Sequence, residues 1–474
     1  MTIPFTSTDW SALAPIAVLG VTALVVLLAD LLTSNAPRYA FILIGIAGGI
    51  GAAAMVAGQY GHDYNAFFGG FMTGGFTSVF EEIVLLALVG SLALYGAIGP
   101  SRRIAGSTAL MLWSTCGAML MAGAANLLTI FLGLELLSLA LYCLCGMDDR
   151  KRSRESALKY LILSSTASGF MLYGMALLFG ASGSVMLADF TAPALASNAL
   201  FWMGAGMFSI GLAFKLSLVP FHSWAPDVFE GAPLPVTAFM SVATKAAILA
   251  VLARFVYAAL PPGVEHRLLL PMWIVAGISM IAGNAGMLAQ RDLKRLLAYS
   301  GIAQMGYILT ALAGATALGL RYAIFYLAAY AFMNLGAFAV AAAISDDAEQ
   351  GAHLSSYEGL GRRRPVLAVA MTFFLLALAG LPPTAGFLGK ILILSSSVNA
   401  GYVWMSGLLV AGTAISLYAY AKIAFAMYSP PRHEPHDPKP IVPLAWASAA
   451  ACAIVVIALT FYPMTPSNIL PLVK

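Results

Sequence analysis

The sequence predicts an all-α membrane protein of about fourteen transmembrane helices, and three observations carry that reading. Of its 474 residues, 61% are hydrophobic and only 9% are charged, against roughly 25% charged in a soluble domain. The apolar runs reach the roughly 20 residues that a helix needs to cross a bilayer, about twice what a tilted barrel strand needs. Lysine and arginine also fall in alternate loops between the runs, the pattern that the positive-inside rule gives a multi-pass chain.

Taken in order, the spans lie at 11–32, 39–58, 79–98, 106–123, 127–146, 156–180, 197–230, 236–260, 268–288, 296–314, 319–344, 365–397, 402–428 and 441–462. The N-terminus lacks a basic n-region and an obvious small-residue cleavage site, so the first span is expected to be retained rather than removed as a signal peptide. Loops after odd-numbered spans carry Arg38, Arg102, Arg103, Arg150, Lys151, Arg152, Arg154, Lys159, Arg291, Lys294, Arg295, Arg362, Arg363, Arg364, Arg432 and Lys439. The opposite side carries Arg267, Arg321 and Lys474. Sixteen against three places the odd loops in the cytoplasm and both termini outside. The run DDRKRSRESALK is expected to determine topology and to meet lipid headgroups. The PPRHEPHDPKP loop reads as a stiff proline-rich linker whose two histidines are not metal-spaced.

Two spans are too long and contain prolines. The seventh is expected to be interrupted at Pro220 and again at Pro226, and the twelfth at Pro382 and Pro383, with Gly380, Gly386 and Gly389 close by. Each proline removes a backbone donor, and unpaired backbone at membrane depth persists only inside protein or along a wet cavity. Because spans seven and twelve differ by five, equivalent helices would cross in opposite directions. This suggests an inverted repeat of spans 4–8 and 9–13 with discontinuous helices 7 and 12. The lysine spacings, Lys215 to Lys245 and Lys390 to Lys422, support the same repeat. The chain then divides into an N-terminal three-helix segment (1–105), two repeats (106–260 and 268–428) and a C-terminal helix (429–474).

Four ionisable side chains sit deep within apolar spans: Glu135, Lys215, Lys245 and Lys390. A charge at the centre of a membrane helix costs at least roughly 2.5–3.5 kcal/mol, so such residues mark an ion or proton path by default. Desolvation favours the neutral form of an amine or a carboxyl, and a nearby opposite charge reverses that preference. A carboxylate that approaches or leaves a lysine can therefore load or unload its proton. Glu135 and Lys215 form the natural pair, Lys245 follows, and Lys390 lies towards the outlet. His222, at the span-7 break, is either a proton relay or a structural hydrogen-bonding residue. Lys422 either extends the path or snorkels to the headgroups. Arg254 reads as an interfacial anchor or a partner to a neighbouring helix. Glu81 and Glu82 either cap span 3 or face a neighbouring subunit. The cysteines Cys116, Cys143, Cys145 and Cys452 have neither CxxC nor metal-ligand spacing, so packing is their expected role.

The segments NLLTIFLGLELLSLALYCL, ALKYLILSSTASGFMLYGMAL, FKLSLVPFHSWAPDVFEGAPLPV, RDLKRLLAYSGIAQMGY and LAGLPPTAGFLGK resemble the antiporter-like subunits of respiratory complex I, NADH:quinone oxidoreductase. The resemblance covers nearly the whole chain. It implies that Glu135, Lys215, Lys245 and Lys390 are the family's proton-path residues. Within the family the middle subunit usually has glutamate where this chain has Lys390, and the distal subunit has a long lateral helix after its last span; both departures favour the subunit N type. The implied partners are other membrane subunits of the complex, homologous antiporter-like subunits among them, the peripheral redox arm indirectly, and membrane lipids; no nucleic acid is expected. The implied location is the bacterial inner membrane. Mrp-type cation/proton antiporter subunits, and homologues in membrane hydrogenases or the photosynthetic relative of complex I, share the broken helices and the Glu–Lys pair. The motifs leave those memberships open. Beyond Glu135 the mid-membrane spans hold no acid that would suit a sodium site, which favours protons. The sequence shows no Rossmann fingerprint, iron–sulfur cysteine set or haem histidines. Electron transfer is therefore expected in partner subunits, and the resemblance implies that these hold quinone, NADH, FMN and iron–sulfur clusters, with no cofactor in this chain.

Overall fold

The computed structural model describes residues 6–33, 37–97, 103–264, 266–344, 353–430 and 443–462. The first three passes are α1 (Ser7–Leu32), α2 (Arg38–Ala57) and α3 (Gly75–Ala97), with a hairpin of β1 (Asn65–Ala66) and β2 (Phe71–Met72) between the last two. Next come α4 (Ile104–Gly123), α5 (Leu127–Cys145), α6 (Lys151–Ser182), α7 (Ala199–Lys215) and α8 (Trp224–Gly231). The eighth span is α9 (Leu234–Phe239), a π-helical turn at Met240–Thr244 and α10 (Lys245–Ala258). The second half holds α11 (His266–Leu288), α12 (Leu293–Leu312), α13 (Ala317–Ile344), the short α14 (Leu360–Arg363), α15 (Pro365–Ala379), α16 (Ala385–Asn399), α17 (Val403–Tyr428) and α18 (Pro443–Phe461). Every expected span has its helix. Among the described residues, eleven helical stretches are long and apolar enough to cross a bilayer, and α7, α15 and α16 are apolar but shorter.

Local chemistry sets several of the ends. Asn126 caps α5 by accepting the Thr129 amide at 2.7 Å, Asp292 caps α12 through the Arg295 amide at 2.9 Å, and Thr384 caps α16 through the Phe387 amide at 3.3 Å. Span 12 is divided because Gly380 takes a left-handed φ of +84° and Pro382 and Pro383 follow. At 15 residues each, α15 and α16 rise about 22 Å, so neither half alone crosses a hydrocarbon core of about 30 Å. Span 7 is likewise divided over residues 216–223. Pro226, expected as a second interruption, instead lies in the first turn of α8. A first-turn N–H has no intrahelical partner to lose, so proline fits there. Glu81 and Glu82 do not cap α3. That helix starts at Gly75, which leaves both acids beyond the first turn, where the dipole effect has faded.

Span 8 is buried along its whole apolar stretch, with α3, α4, α7 and α13 around it. Small residues allow the closest helix approaches, as expected where lipid removes the hydrophobic drive between helices. A Cβ on Gly204 would stand 2.9 Å from the Gly174 carbonyl oxygen across the α6–α7 contact. One on Gly283 would stand 2.6 Å from the Ala303 nitrogen across α11–α12. The proline-rich loop with His433 and His436, together with Arg102, Arg432, Lys439 and Lys474, lies outside the described residues.

Candidate functional site

Lys215, Lys245 and Lys390 are buried at 2%, 2% and 4% exposure, and each meets neutral oxygen rather than a carboxylate. Lys215 ends α7 and donates to Ser138 on α5 and Ser164 on α6, both at 2.6 Å. Tyr142 donates to the same Ser164 at 2.6 Å. The rings of Tyr142 and Tyr160 flank the ammonium at 5.7 and 5.2 Å, a cation–π setting that suits a buried amine.

Glu135 and Lys215 are brought to the same cluster without touching. Glu135 is half-buried and accepts from Ser168 at 2.8 Å. Ser168 is one turn beyond Ser164 on α6, so serine hydroxyls stand where a direct ion pair was expected. Ser168 meets Glu135, while Ser138 and Ser164 meet Lys215.

The break in span 7 frees carbonyls at the C-terminal end of α7, the negative end of its dipole. The Trp224 indole donates to the Phe214 carbonyl at 2.8 Å, and Lys245 reaches the Leu216 carbonyl at 3.5 Å. The break in span 12 repeats this arrangement. Lys390 donates to the Ala379 carbonyl at 2.8 Å and Gln304 to the Leu378 carbonyl at 3.1 Å. Lys390 also lies over the Tyr307 ring at 4.6 Å. Carbonyls at both breaks are thus engaged by side chains, those of Trp224 and Lys245 in span 7 and of Lys390 and Gln304 in span 12.

One face of α12 connects the two lysine sites. A Cβ on Gly301 would stand 3.1 Å from the Lys245 amine and 3.2 Å from the Tyr330 hydroxyl, so glycine leaves room for both. Beside it, Ser300 accepts from Tyr420 at 2.5 Å, Gln304 accepts from Tyr326 at 2.5 Å, and Tyr307 accepts from Asn284 at 2.8 Å. Ser300, Gly301, Gln304 and Tyr307 recur at helical spacing, which puts them on one stripe. Sequence reasoning did not single out these roles, although all four lie in the SGIAQMGY block; the polar stripe in an apolar span was the available signal. The π-turn before Lys245 also escaped it. There Tyr330 donates to the Ser241 carbonyl at 3.2 Å and Asn334 to the Ser241 hydroxyl at 2.5 Å.

The other singled-out residues fall elsewhere. Lys422 is exposed on the side of α17, and no hydrogen bond ties it to any described residue of the buried cluster. His222 lies in the span-7 break, half-buried, with Nδ1 unpartnered. Lys215 precedes its break, whereas Lys390 lies within α16, after its break. An inverted repeat preserves chain order, so the two lysines are not repeat equivalents and their spacings do not support the repeat. Arg254 is buried at 7% exposure and bonds to Thr77 and the Ala122 carbonyl; it partners neighbouring elements and is not an interfacial anchor. Cys116, Cys145 and Cys452 are buried, but Cys143 is exposed on α5.

A charged cluster also appears on the face formed by connections after odd-numbered spans. Arg295 pairs with Asp227 at 2.7 Å and Glu230 at 2.8 Å, and Lys159 with Asp227 at 3.4 Å. Lys294 is buried and donates to the Ala232 carbonyl at 2.9 Å. These contacts hold α8, the far half of span 7, against α6 and α12. Charge parity had assigned Lys159, Lys294 and Arg295 only to topology.

A family model described as NADH:quinone oxidoreductase/Mrp antiporter, TM, matches residues 124–416. NADH-quinone oxidoreductase subunit N of Trichlorobacter lovleyi is 38% identical over 441 residues, covering 91% of this chain and 90% of that protein. Subunit N 1 of Symbiobacterium thermophilum is 38% identical over 460 residues, with 91% of each covered. A chain of respiratory complex I from Thermus thermophilus with bound aureothin superposes with a TM-score of 0.83 at 34% identity, covering 96% of this chain and 99% of that one. A chain of the Mrp complex from Dietzia sp. DQ12-45-1b shares the fold, with a TM-score of 0.81 at 20% identity over 98% of this chain and 96% of that one.

Proposed function

Since the chain belongs to the NADH-quinone oxidoreductase subunit N family, the antiporter-like membrane subunits of complex I, we propose that it moves protons along Glu135, Lys215, Lys245 and Lys390. The driving force would come from quinone reduction in partner subunits, which would hold NADH, FMN and the iron–sulfur clusters. The observation that carries the reading is the set of buried lysines Lys215, Lys245 and Lys390 beside a half-buried Glu135, with Lys245 and Lys390 seated on the carbonyl ends of the two broken helices. An ammonium on such an end gains from the dipole and remains free to give up its proton, because no carboxylate locks its charge.

Each residue has a role in this scheme. Glu135 borders the exposed apolar face of α5 formed by Leu128, Leu132 and Leu139, where a neighbouring membrane subunit would approach. Withdrawal of the Glu135 charge would weaken the hold of Lys215 on its proton. The proton would pass by the Leu216 carbonyl to Lys245, then along the α12 stripe to Lys390, and leave on the outer side. The basic asymmetry puts the face of the even-numbered connections outward, in a bacterial inner membrane.

The test is the ratio of protons moved to electrons transferred by the reconstituted complex in sodium-free proteoliposomes. The parent complex should acidify the lumen without sodium. Lys215→Ala should assemble and lose most of that transport. Full pumping by an assembled Lys215→Ala complex would remove this lysine from the path, and strict dependence on sodium would replace the proton reading with cation antiport.

A further inference from the structure

A cavity of about 950 Å³ opens on the face of the even-numbered connections, among the β1–β2 hairpin and the ends of α3, α10 and α13. Two arginines line it, Arg254 from α10 and Arg321 from the second turn of α13. Neither forms an ion pair with any described residue, and the Nε of each is buried without a partner. Arg254 is the more demanding of the two. Its guanidinium lies 5.0 Å from the Phe76 ring and donates to Thr77 at 3.2 Å, to the Ala122 carbonyl at 3.1 Å and to the Met72 thioether at 2.9 Å. A thioether is a weak acceptor, and a buried guanidinium with only neutral partners remains uncompensated. Asp63, the one carboxylate in the lining, pairs with neither arginine. Two cations and one anion leave a net charge of plus one around the cavity.

We propose that this cavity binds a phosphate oxyanion, either as the diester of an anionic phospholipid headgroup or as free phosphate. A singly charged phosphate group neutralises the excess charge. Guanidinium forks match phosphate oxygens in geometry as well as in charge. The volume lies within the range of small-ligand sites, and Phe76, Met72 and Leu320 in the lining give the glycerol and first methylenes of a lipid an apolar wall. Arg254 is nine residues beyond Lys245 on the same helix, about 14 Å along its axis. The site is therefore separate from the lysine layer, and its occupancy is independent of the transport reading.

The experiment is hydrogen exchange of residues 63–77 in the intact complex, delipidated in a phosphate-free maltoside detergent. Phosphatidylglycerol, inorganic phosphate and diacylglycerol are titrated in parallel. Phosphatidylglycerol should slow exchange by about tenfold at ten times its dissociation constant, and diacylglycerol, with the same tails and no phosphate, should not. Slowing by phosphatidylglycerol alone assigns the source to a lipid headgroup; slowing by inorganic phosphate as well assigns it to the phosphate group itself. Arg321→Gln, at a partly exposed position, should weaken the effect. Arg254→Gln should abolish it, and Arg254→Lys should restore part of it. No slowing by either phosphate compound, equal slowing by diacylglycerol, or slowing that survives both glutamine substitutions overturns the proposal.

Discussion

At the residue scale, the buried lysines are held by dipoles and not by countercharges. A full ion pair would fix the ammonium in its charged form, whereas serine hydroxyls and helix-end carbonyls stabilise it and still let the proton go. In the proposed scheme Glu135 acts on Lys215 at a distance, since its carboxylate meets Ser168 while Lys215 meets Ser138 and Ser164. Glu135→Gln keeps the Ser168 contact and loses the charge. It should cut turnover by about tenfold, the effect of losing about 1.4 kcal/mol of charge interaction; Glu135→Asp should retain a substantial part. Near-normal quinone-coupled turnover in both variants would reduce Glu135 to a hydrogen-bonding residue. Lys390 is open to a sharper comparison, since its amine meets the Ala379 carbonyl. Lys390→Met fills the same space with nothing to protonate and should abolish pumping. Lys390→Glu retains a titratable group and should pump at a reduced rate. The proton-to-electron ratio of the two variants decides the matter, and parent-like pumping by Lys390→Met would route the outlet elsewhere.

At the element scale, breaks and close approaches create the site. A continuous span 7 would have satisfied the Phe214 and Leu216 carbonyls internally and left Lys245 without its partner. Close approach between α6 and α7 brings Ser164 to Lys215, and that approach depends on glycine. Gly174 and Gly169 separate the two effects of enlarging a glycine. A Cβ on Gly174 would collide with the α7 backbone, and one on Gly169 would meet open space. Gly174→Val should therefore lower the amount of assembled complex in membranes sharply, while Gly169→Val should leave it close to the parent. Equal assembly of the two, measured by native gel or mass photometry, would mean that the α6–α7 distance is set by other contacts.

At the scale of the whole molecule, direction depends on which face is outside. His62 lies among the even-numbered connections and Asp149 among the odd-numbered ones, both exposed. In intact cells a membrane-impermeant maleimide should label His62→Cys and spare Asp149→Cys, with the opposite result in inverted vesicles. The reverse pattern would overturn the orientation and with it the direction of transport. Membership of the subunit N family fixes the setting of the chain as one membrane subunit of a larger complex, so these labels are best read in that complex.

Span number, the two discontinuous helices and the identity of the buried lysines were legible in the sequence, because hydropathy, proline and isolated charge act locally. A helix must satisfy its own backbone in lipid, so twenty apolar residues announce a span wherever they occur. Partners were not legible. That Lys245 meets the Leu216 carbonyl, that Lys390 meets the Ala379 carbonyl, and that α12 lays a polar stripe between two lysine sites depend on which helices pack together. Packing also moved Pro226 into a first turn, put Lys422 on the outside and left Arg254 facing a cavity without a countercharge. The sequence by itself determined what crosses the membrane and which charges are carried inside it. Only the tertiary structure decided what those charges meet, because a buried charge is governed by groups within a few ångströms, and those groups come from distant parts of the chain.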